Sequence, residues 1–307
     1  MEYLITGGAG FLGRNLANRL LAEGHTVILL DDFSSSSVSN LSGLEKSKIK
    51  IINHDVEDPY DMSCDGIFNF ACPASPIKYQ QNPVKTIRTA TLGVFNAVDL
   101  ALRNRVPVLQ ASTSEVYGDP LIDPQSEDYW GNVNPIGIRS CYDEGKRIGE
   151  TILTDYARQY SAEVKIARIF NTYGPYMAPD DGRVVSNFIM QALQDFPITI
   201  YGKGNQIRSF CFVDDTIKGV LKLFESKMDH RPVNIGNPHP LTMLELAKKI
   251  ISLTNSNSKI DFFDLPGDDP KIRTPNIERA IEKLDWKPTT NIDDGLIKTI
   301  DYFSTFI

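Results

Sequence analysis

The chain has 307 residues, 41% of them hydrophobic, enough to bury a large core in one domain or two unequal ones. Its net charge of −7 and lack of a Lys/Arg cluster exclude nucleic acid as an expected partner, so an anionic substrate must be met by a few local basic residues. Cys64, Cys72, Cys141 and Cys211 have no CxxC or Cys/His spacing, which argues against a metal site or a disulfide framework.

Short apolar runs at 3–6, 27–30, 49–53, 66–70, 108–111 and 164–169 alternate with helical patterns at 10–23, 83–104 and 141–159. Strand–helix alternation of this kind predicts parallel βαβ units and a doubly wound, Rossmann-type α/β sheet over residues 1–172. After 172 the alternation fails and Pro, Gly and Asp rise, with helical stretches at 183–195 and 241–254. Residues 173–307 are therefore expected to form mainly a smaller substrate-binding lobe, with 213–235 returning to the first part. The chain opens on a strand with no charged leader, and no apolar run reaches the ~20 residues of a bilayer span. Free thiols fit a reducing compartment, so a soluble cytoplasmic protein with no membrane partner is expected.

Between the first strand and the first helix lies Gly7-Gly-Ala-Gly10-Phe11-Leu12-Gly13, a G-x-x-G-x-x-G spacing. Such a loop turns tightly, lets the backbone approach a pyrophosphate and aims a helix N-terminus at its charge. A glycine motif alone can be an ordinary turn. Here a strand precedes it, a helix follows, and Asp31 ends the second strand 18 residues past Gly13, where a carboxylate would hold ribose hydroxyls. Asp31 and Asp32, with no Arg beside them, would repel a 2′-phosphate, which favours NAD over NADP. Asp55, after the third strand, either meets the adenine edge or serves as a helix cap or loop acid.

The fifth run leads into Ala111-Ser-Thr113-Ser114-Glu115-Val-Tyr-Gly118, a strand end carrying a hydroxyl and a carboxylate. Tyr142 and Lys146 follow, four residues apart on one face of the next predicted helix. The ammonium is expected to lower the phenol pKa so that Tyr142 can act as a base near neutrality, helped by a Thr113 or Ser114 hydroxyl. A Y-x-x-x-K pair is common on surface helices; its order after a dinucleotide loop and a Ser/Thr-bearing strand end makes it informative. Arg208 and Arg273 sit in irregular Gly/Pro-rich segments, where guanidinium forks suit diphosphate or carboxylate, or else form surface ion pairs. Phe68, Phe70, Phe95 and Phe170 are expected in the core, and His25, His54, His230 and His239 fall in no catalytic or ligand spacing.

This chain order resembles the extended short-chain dehydrogenase/reductases over essentially the whole length. The runs Pro73-Ala-Ser-Pro76, Ser112-Thr-Ser-Glu-Val-Tyr-Gly-Asp-Pro120, Cys141-Tyr-Asp-Glu-Gly-Lys-Arg147 and Asp181-Gly-Arg-Val-Val-Ser-Asn-Phe188, among others, closely resemble the UDP-glucuronate decarboxylases. The resemblance implies that Tyr142 takes the proton of the sugar 4-hydroxyl while hydride passes to NAD+. The β-keto acid so formed loses CO2, and NADH returns the hydride to C4. It implies that Glu115 orients the sugar or a water and assists protonation at C5, and counts Arg273 among the catalytic residues. It also implies cofactor contacts at Val56, Thr86 and Thr172, and substrate contacts at Lys85, Asn171, Arg183, Asn187, Tyr201, Gln206, Arg208 and Arg273. A homodimer through two long helices is implied as well. Sugar 4,6-dehydratases carry Asp-Glu after the Thr; Ser114-Glu115 here lacks the acid for elimination. Tyr176, Ala90, Cys72 and Ile138 depart from the family pattern, and Tyr176 and Ala90 are expected to reshape the pocket near the sugar. Another UDP-uronate such as UDP-N-acetylglucosaminuronate, a 4-epimerase, release of the 4-keto pentose, and a catalytically silent NAD-binding scaffold remain as alternatives.

Overall fold

The computed structural model describes residues 1–265 and 272–307. The Asp268-Asp-Pro270 stretch lies outside the described residues, whereas Arg273 lies within them.

Alternate residues of the early strands are apolar on both sides, and this pattern builds a sheet buried on both faces. Strands β1 (Glu2–Thr6), β2 (Thr26–Asp31), β3 (Ile49–Asn53), β4 (Gly66–Asn69), β5 (Val108–Thr113) and β6 (Val164–Ile169) pair in parallel with a seventh, Val233–Ile235. Their order across the sheet is Val233–Ile235, β6, β5, β4, β1, β2, β3. Leu4, Ile28, Ile67, Val108 and Ile166 point to one face, with Val94, Val98, Ile152 and Leu153 packed over them. Their strand neighbours Ile5, Leu29, Phe68, Leu109 and Ala167 point to the other, under Leu16, Leu20, Val220 and Leu223. Each such buried side chain contributes roughly 1.5–3 kcal/mol.

Helices α1 (Phe11–Ala22), α2 (Pro76–Gln81), α3 (Pro83–Asn104) and α4 (Ser140–Tyr160) lie along the first part of the chain. The α1 crossover leads from β1 outward to β2, and the α3 crossover leads from β4 to β5 in the opposite direction. Right-handed crossovers running opposite ways put these helices on opposite faces. The strand order thus reverses between β1 and β4, which opens a crevice at their carboxyl ends. That crevice is where the Gly7–Gly13 loop and the end of β5 meet.

Helices α3 and α4 approach closely because small residues face each other. A Cβ at Gly145 would lie 2.9 Å from Cβ of Ala90, and one at Gly149 would lie 3.4 Å from the Ala90 carbonyl. Beyond β6 the chain forms α5 (Val184–Leu193), a two-stranded ladder of Ile198–Tyr201 with Ile260–Phe263, and a three-stranded one in which Ile207–Ser209 pairs with Pro240–Thr242 and Ile272–Arg273. The segment Val213–Glu225 is a helix on the central sheet. Helices at Glu278–Leu284 and Ile292–Phe303 have no counterpart in the sequence reading.

Phe68 and Phe170 are buried as expected, but Phe95 is 39% exposed. It lies on the outer side of α3, away from the face that carries Val94 and Val98 inward.

Candidate active site

The Gly7–Gly13 loop has the shape a dinucleotide needs. Gly7 has φ +65°, and a Cβ there would press against the Ala71 backbone at 2.9 Å; one on Gly13 would sit 2.2 Å from the Gly7 carbonyl oxygen. Gly10 caps α1 with no side-chain hydrogen bond, so the first turn keeps its N–H groups for an outside anion. Asp31 is buried at the end of β2, where one oxygen accepts from the Ala9 amide at 2.9 Å and the other from the Phe33 amide and the Ser36 hydroxyl. It braces the glycine loop from behind. Asp32 is exposed and accepts from Ser34. These features fit NAD.

In front of the loop lies a cavity of about 600 Å³. Its wall brings together Gly7, Gly10, Phe11, Leu12 and Gly13 with Thr113, Ser114, Glu115, Tyr142 and Lys146. Asn171 and Thr172 join from beyond β6, and Arg183, Asn187, Tyr201, Gln206, Arg208 and Arg273 from the C-terminal part. The two ends of the sequence pattern, more than 250 residues apart in the chain, therefore face one space.

Tyr142 and Lys146 project from the first turns of α4 toward the end of β5, both buried. The Lys146 ammonium donates to the Ala111 carbonyl at 2.8 Å and lies 5.7 Å from the Tyr142 ring centroid. Burial raises the Tyr142 phenol well above its ordinary value; Cys72, Glu115 and Tyr79 add to this, and a hydrogen bond with the Thr113 side chain works against it. The net lowering expected of the phenol is therefore not found: desolvation of the phenolate outweighs the charges that favour it, and the Lys146 ammonium rests on a backbone carbonyl. Thr113 ends β5, and its hydroxyl also accepts the Glu115 amide as the chain turns at Ser114–Tyr117.

Glu115 is buried between two guanidiniums. Arg273 engages both carboxylate oxygens at 2.7 and 2.8 Å, and Arg139 donates to one of them at 2.6 Å. Burial alone would raise the Glu115 pKa, but Arg273 and Arg139, with help from Arg208, hold it below the ordinary value. The group is a carboxylate. Behind it, Asp143 stands 3.9 Å from Arg139, and burial together with the Glu115 charge pushes its pKa up to about 7.

The remaining lining residues are held by local contacts. Arg183 pairs with Asp181 and lies 5.6 Å from the Phe11 ring; Asn187 donates to the Gly182 carbonyl. Gln206 donates to the Tyr201 carbonyl at 2.6 Å while its own buried side-chain oxygen has no partner. The Thr172 hydroxyl lies 3.0 Å from that of Thr216, and Asn171 is 3.5 Å from Arg273. Asp31, Asp32, Asp55, Val56, Lys85 and Thr86 do not line the cavity. Lys85 forms ion pairs with Asp55 and Glu57, Val56 packs under α3 in the core, and Thr86 donates to the Tyr79 carbonyl.

Of the departures noted in the sequence, Tyr176 and Ala90 do not reshape the cavity. Tyr176 lies under the Arg14 guanidinium, 3.6 Å from the ring centroid, and against Tyr302. Ala90 sits in the α3–α4 contact. Neither lines the cavity, although Cys72 does. Among the residues that sequence reasoning did not assign to the site, Arg139 carried a usable signal, a basic residue three positions before Tyr142, and Ser75 lay within the Pro73–Pro76 run; Tyr79 carried none. Among the described residues no cluster of His, Cys, Asp and Glu is suited to a metal, and no helix is long and apolar enough to cross a membrane.

A profile of the NAD dependent epimerase/dehydratase family matches residues 3–236. UDP-glucuronic acid decarboxylase 3 of Arabidopsis thaliana is 50% identical over 298 residues, 96% of this chain and 87% of that protein. UDP-glucuronic acid decarboxylase 1 of Danio rerio is 49% identical over 302 residues, 98% of this chain and 72% of that protein. Among solved structures, UDP-glucuronic acid 4-epimerase from Bacillus cereus, in complex with UDP-glucuronic acid and NAD, aligns over the whole of both chains with a TM-score of 0.90 at 25% identity. With the glycine loop, the strand order and the Tyr142–Lys146 pair all in place, the chain belongs to the NAD dependent epimerase/dehydratase family.

Proposed function

We propose that this protein converts UDP-glucuronate to UDP-xylose and CO2, with NAD recycled within each turnover. The observation that supports it most is the meeting of Tyr142, Thr113 and Lys146 with the Glu115–Arg139–Arg273 cluster in the cavity that the glycine loop faces. The 47–50% identity to curated UDP-glucuronic acid decarboxylases over nearly the whole chain supports the same reading.

Bound NAD would supply an acceptor, then a donor, of hydride at the sugar C4. In this reading Tyr142 receives the proton of the 4-hydroxyl, with Thr113 bonded to its oxygen. A phenol so deeply buried ionises only beside positive charge, and the Lys146 ammonium is fixed 5.7 Å from the centre of its ring. Once C4 is a ketone, the carboxylate on C5 is that of a β-keto acid. The C5–C6 electron pair then passes into the C4 carbonyl as CO2 leaves, and C5 must be reprotonated. Glu115, held anionic by its two arginines, orients the sugar or a water for that step and stays clear of the departing carboxylate's charge only if the arginines remain bound. Lys85, Asp55, Val56 and Thr86 are read as cofactor- or substrate-side residues reached from the α3 end of the crevice, and Asp31 and Asp32 as ribose partners. Residues 1–172, with 213–235, are read as the NAD-binding part and 173–307 as mainly the substrate lobe.

Incubation with UDP-glucuronate and NAD+, with no added reductant, tests this: a UDP-pentose must accumulate with CO2. Failure to form pentose would overturn the assignment.

A homodimer is part of the reading. Val84, Ile87 and Phe95 on α3 and Ile148 on α4 are exposed on neighbouring helices, an apolar stripe suited to a second copy. Light scattering at micromolar concentration should give twice the chain mass. A cytoplasmic setting rests on all four cysteines being free thiols, and fractionation of cells making the protein checks it.

A further inference from the structure

Arg14 of α1 is 2% exposed and lies outside the cavity wall. Its guanidinium donates through Nε to the Asn40 carbonyl at 3.3 Å and through Nη2 to the Ser42 carbonyl at 3.2 Å, while the buried Nη1 has no hydrogen-bond partner. The Tyr176 ring covers the guanidinium, with 3.6 Å between ring centroid and Cζ, and Tyr302 backs that ring with centroids 5.0 Å apart. The aromatic face thus meets the cation where a hydrogen bond is lacking. Tyr176 itself has φ +71°, a backbone conformation that a bulky side chain keeps only when its surroundings impose it. A buried cation and a strained tyrosine both work against folding, and together they fix the place of one loop.

That loop spans residues 33–44 and follows β2. Its Asn40 side chain donates to the Ala9 carbonyl at 2.7 Å, and its Ser36 hydroxyl donates to Asp31, which accepts from the Ala9 amide. Ala9, in the glycine loop, is therefore gripped at both backbone groups, its N–H by Asp31 and its carbonyl by Asn40. Ser35 of the same loop lines the cavity beside Gly7 and Gly10. In a doubly wound sheet the end of β2 is where the adenosine half of a dinucleotide lies.

We propose that Arg14 is a positioning residue for NAD: pressed between Tyr176 and the carbonyls of Asn40 and Ser42, it fixes the 33–44 loop against the glycine loop and so holds the adenosine half of the cofactor. The inference rests on the NAD part of the functional reading above. It also gives Tyr176 a role away from the sugar, as the ring that presses Arg14 onto the loop. A cofactor reoxidised within each turnover has no need to leave, and a firm wall at its adenosine end keeps it in place.

Calorimetric titration separates this role from general support of the fold. Wild type, Arg14→Met and Asn40→Ala are each titrated with NAD+, with AMP and, once saturated with NAD+, with UDP. Arg14→Met keeps an apolar stem under Tyr176 and removes the donors, whereas Asn40→Ala cuts only the link to Ala9 and leaves the buried cation in place. Both variants should lose about ten- to a hundredfold in affinity for NAD+ and for AMP alike, and less than about twofold for UDP. Unchanged NAD+ affinity in either folded variant, a loss for NAD+ that AMP does not share, or an equal loss for UDP would overturn the inference. Should Arg14→Met fail to fold, Asn40→Ala decides the matter alone. Wild-type protein that binds neither NAD+ nor UDP would instead overturn the functional reading on which the inference rests.

Discussion

Arg273 grips both oxygens of Glu115 across 158 residues of sequence, Nη1 to Oε1 at 2.7 Å and Nη2 to Oε2 at 2.8 Å. One partner follows β5 and the other lies in a short strand of the C-terminal ladder, so this fork ties the two parts of the chain together at the floor of the cavity. Glu115→Ala should leave two buried guanidiniums facing each other and cost about 3–5 kcal/mol. Thermal unfolding should move sharply down, and Glu115→Gln should recover part of the loss. Unchanged stability in the alanine variant would show that the fork carries no weight.

Tyr142→Phe removes the hydroxyl bonded to Thr113 without disturbing the stack on Tyr79. Turnover should fall by about 10²–10⁴, the usual worth of a positioned acid–base group. NAD binding, followed by protein fluorescence, should persist. Retained turnover would remove Tyr142 from the chemistry, and loss of NAD binding would make its role structural.

Gly13→Ala drives a methyl toward the Gly7 carbonyl oxygen, at a distance of 2.2 Å in the present backbone. The glycine loop must open to relieve it. NAD affinity should drop by more than tenfold, measured by titration, while the far-ultraviolet dichroism stays that of the folded chain. An unaltered affinity would mean the loop does not approach the cofactor closely.

Asp143 gives a pH signature. Burial and the Glu115 charge raise its pKa from 3.8 to about 7 in the folded protein. The folded state therefore holds a proton that the unfolded chain has lost, and stability from this group falls as pH rises from about 4 to about 7. In Asp143→Asn that fall is removed. The variant's unfolding temperature should gain on wild type across this window and run parallel to it above pH 8. A difference that stays constant from pH 4 to pH 8 would contradict the shift.

The fold was legible where local pattern and tertiary role agree. Strands β1 to β6 and helices α1, α3, α4 and α5 lie within about two residues of their expected bounds, because period and glycine punctuation are local properties. Helices Glu278–Leu284 and Ile292–Phe303 escaped notice, since the first is short and neither follows the βαβ alternation. At the site, chemistry-bearing spacings pointed to the residues lining the cavity. What spacing cannot convey is how charge is spent. Nothing in the sequence says that Lys146 rests on the Ala111 carbonyl, that Arg139 and Arg273 share one carboxylate, or that Tyr176 packs under Arg14. Those are outcomes of three-dimensional packing.

The measurement that bears most directly on the account is a single incubation of the protein with UDP-glucuronate and NAD+, following sugar nucleotides by NMR together with CO2 and NADH. The account predicts UDP-xylose and CO2 in equal amounts with no net NADH. A UDP-4-keto-pentose with stoichiometric NADH would contradict the recycling of NAD, and the absence of both pentose and CO2 would contradict the assignment itself.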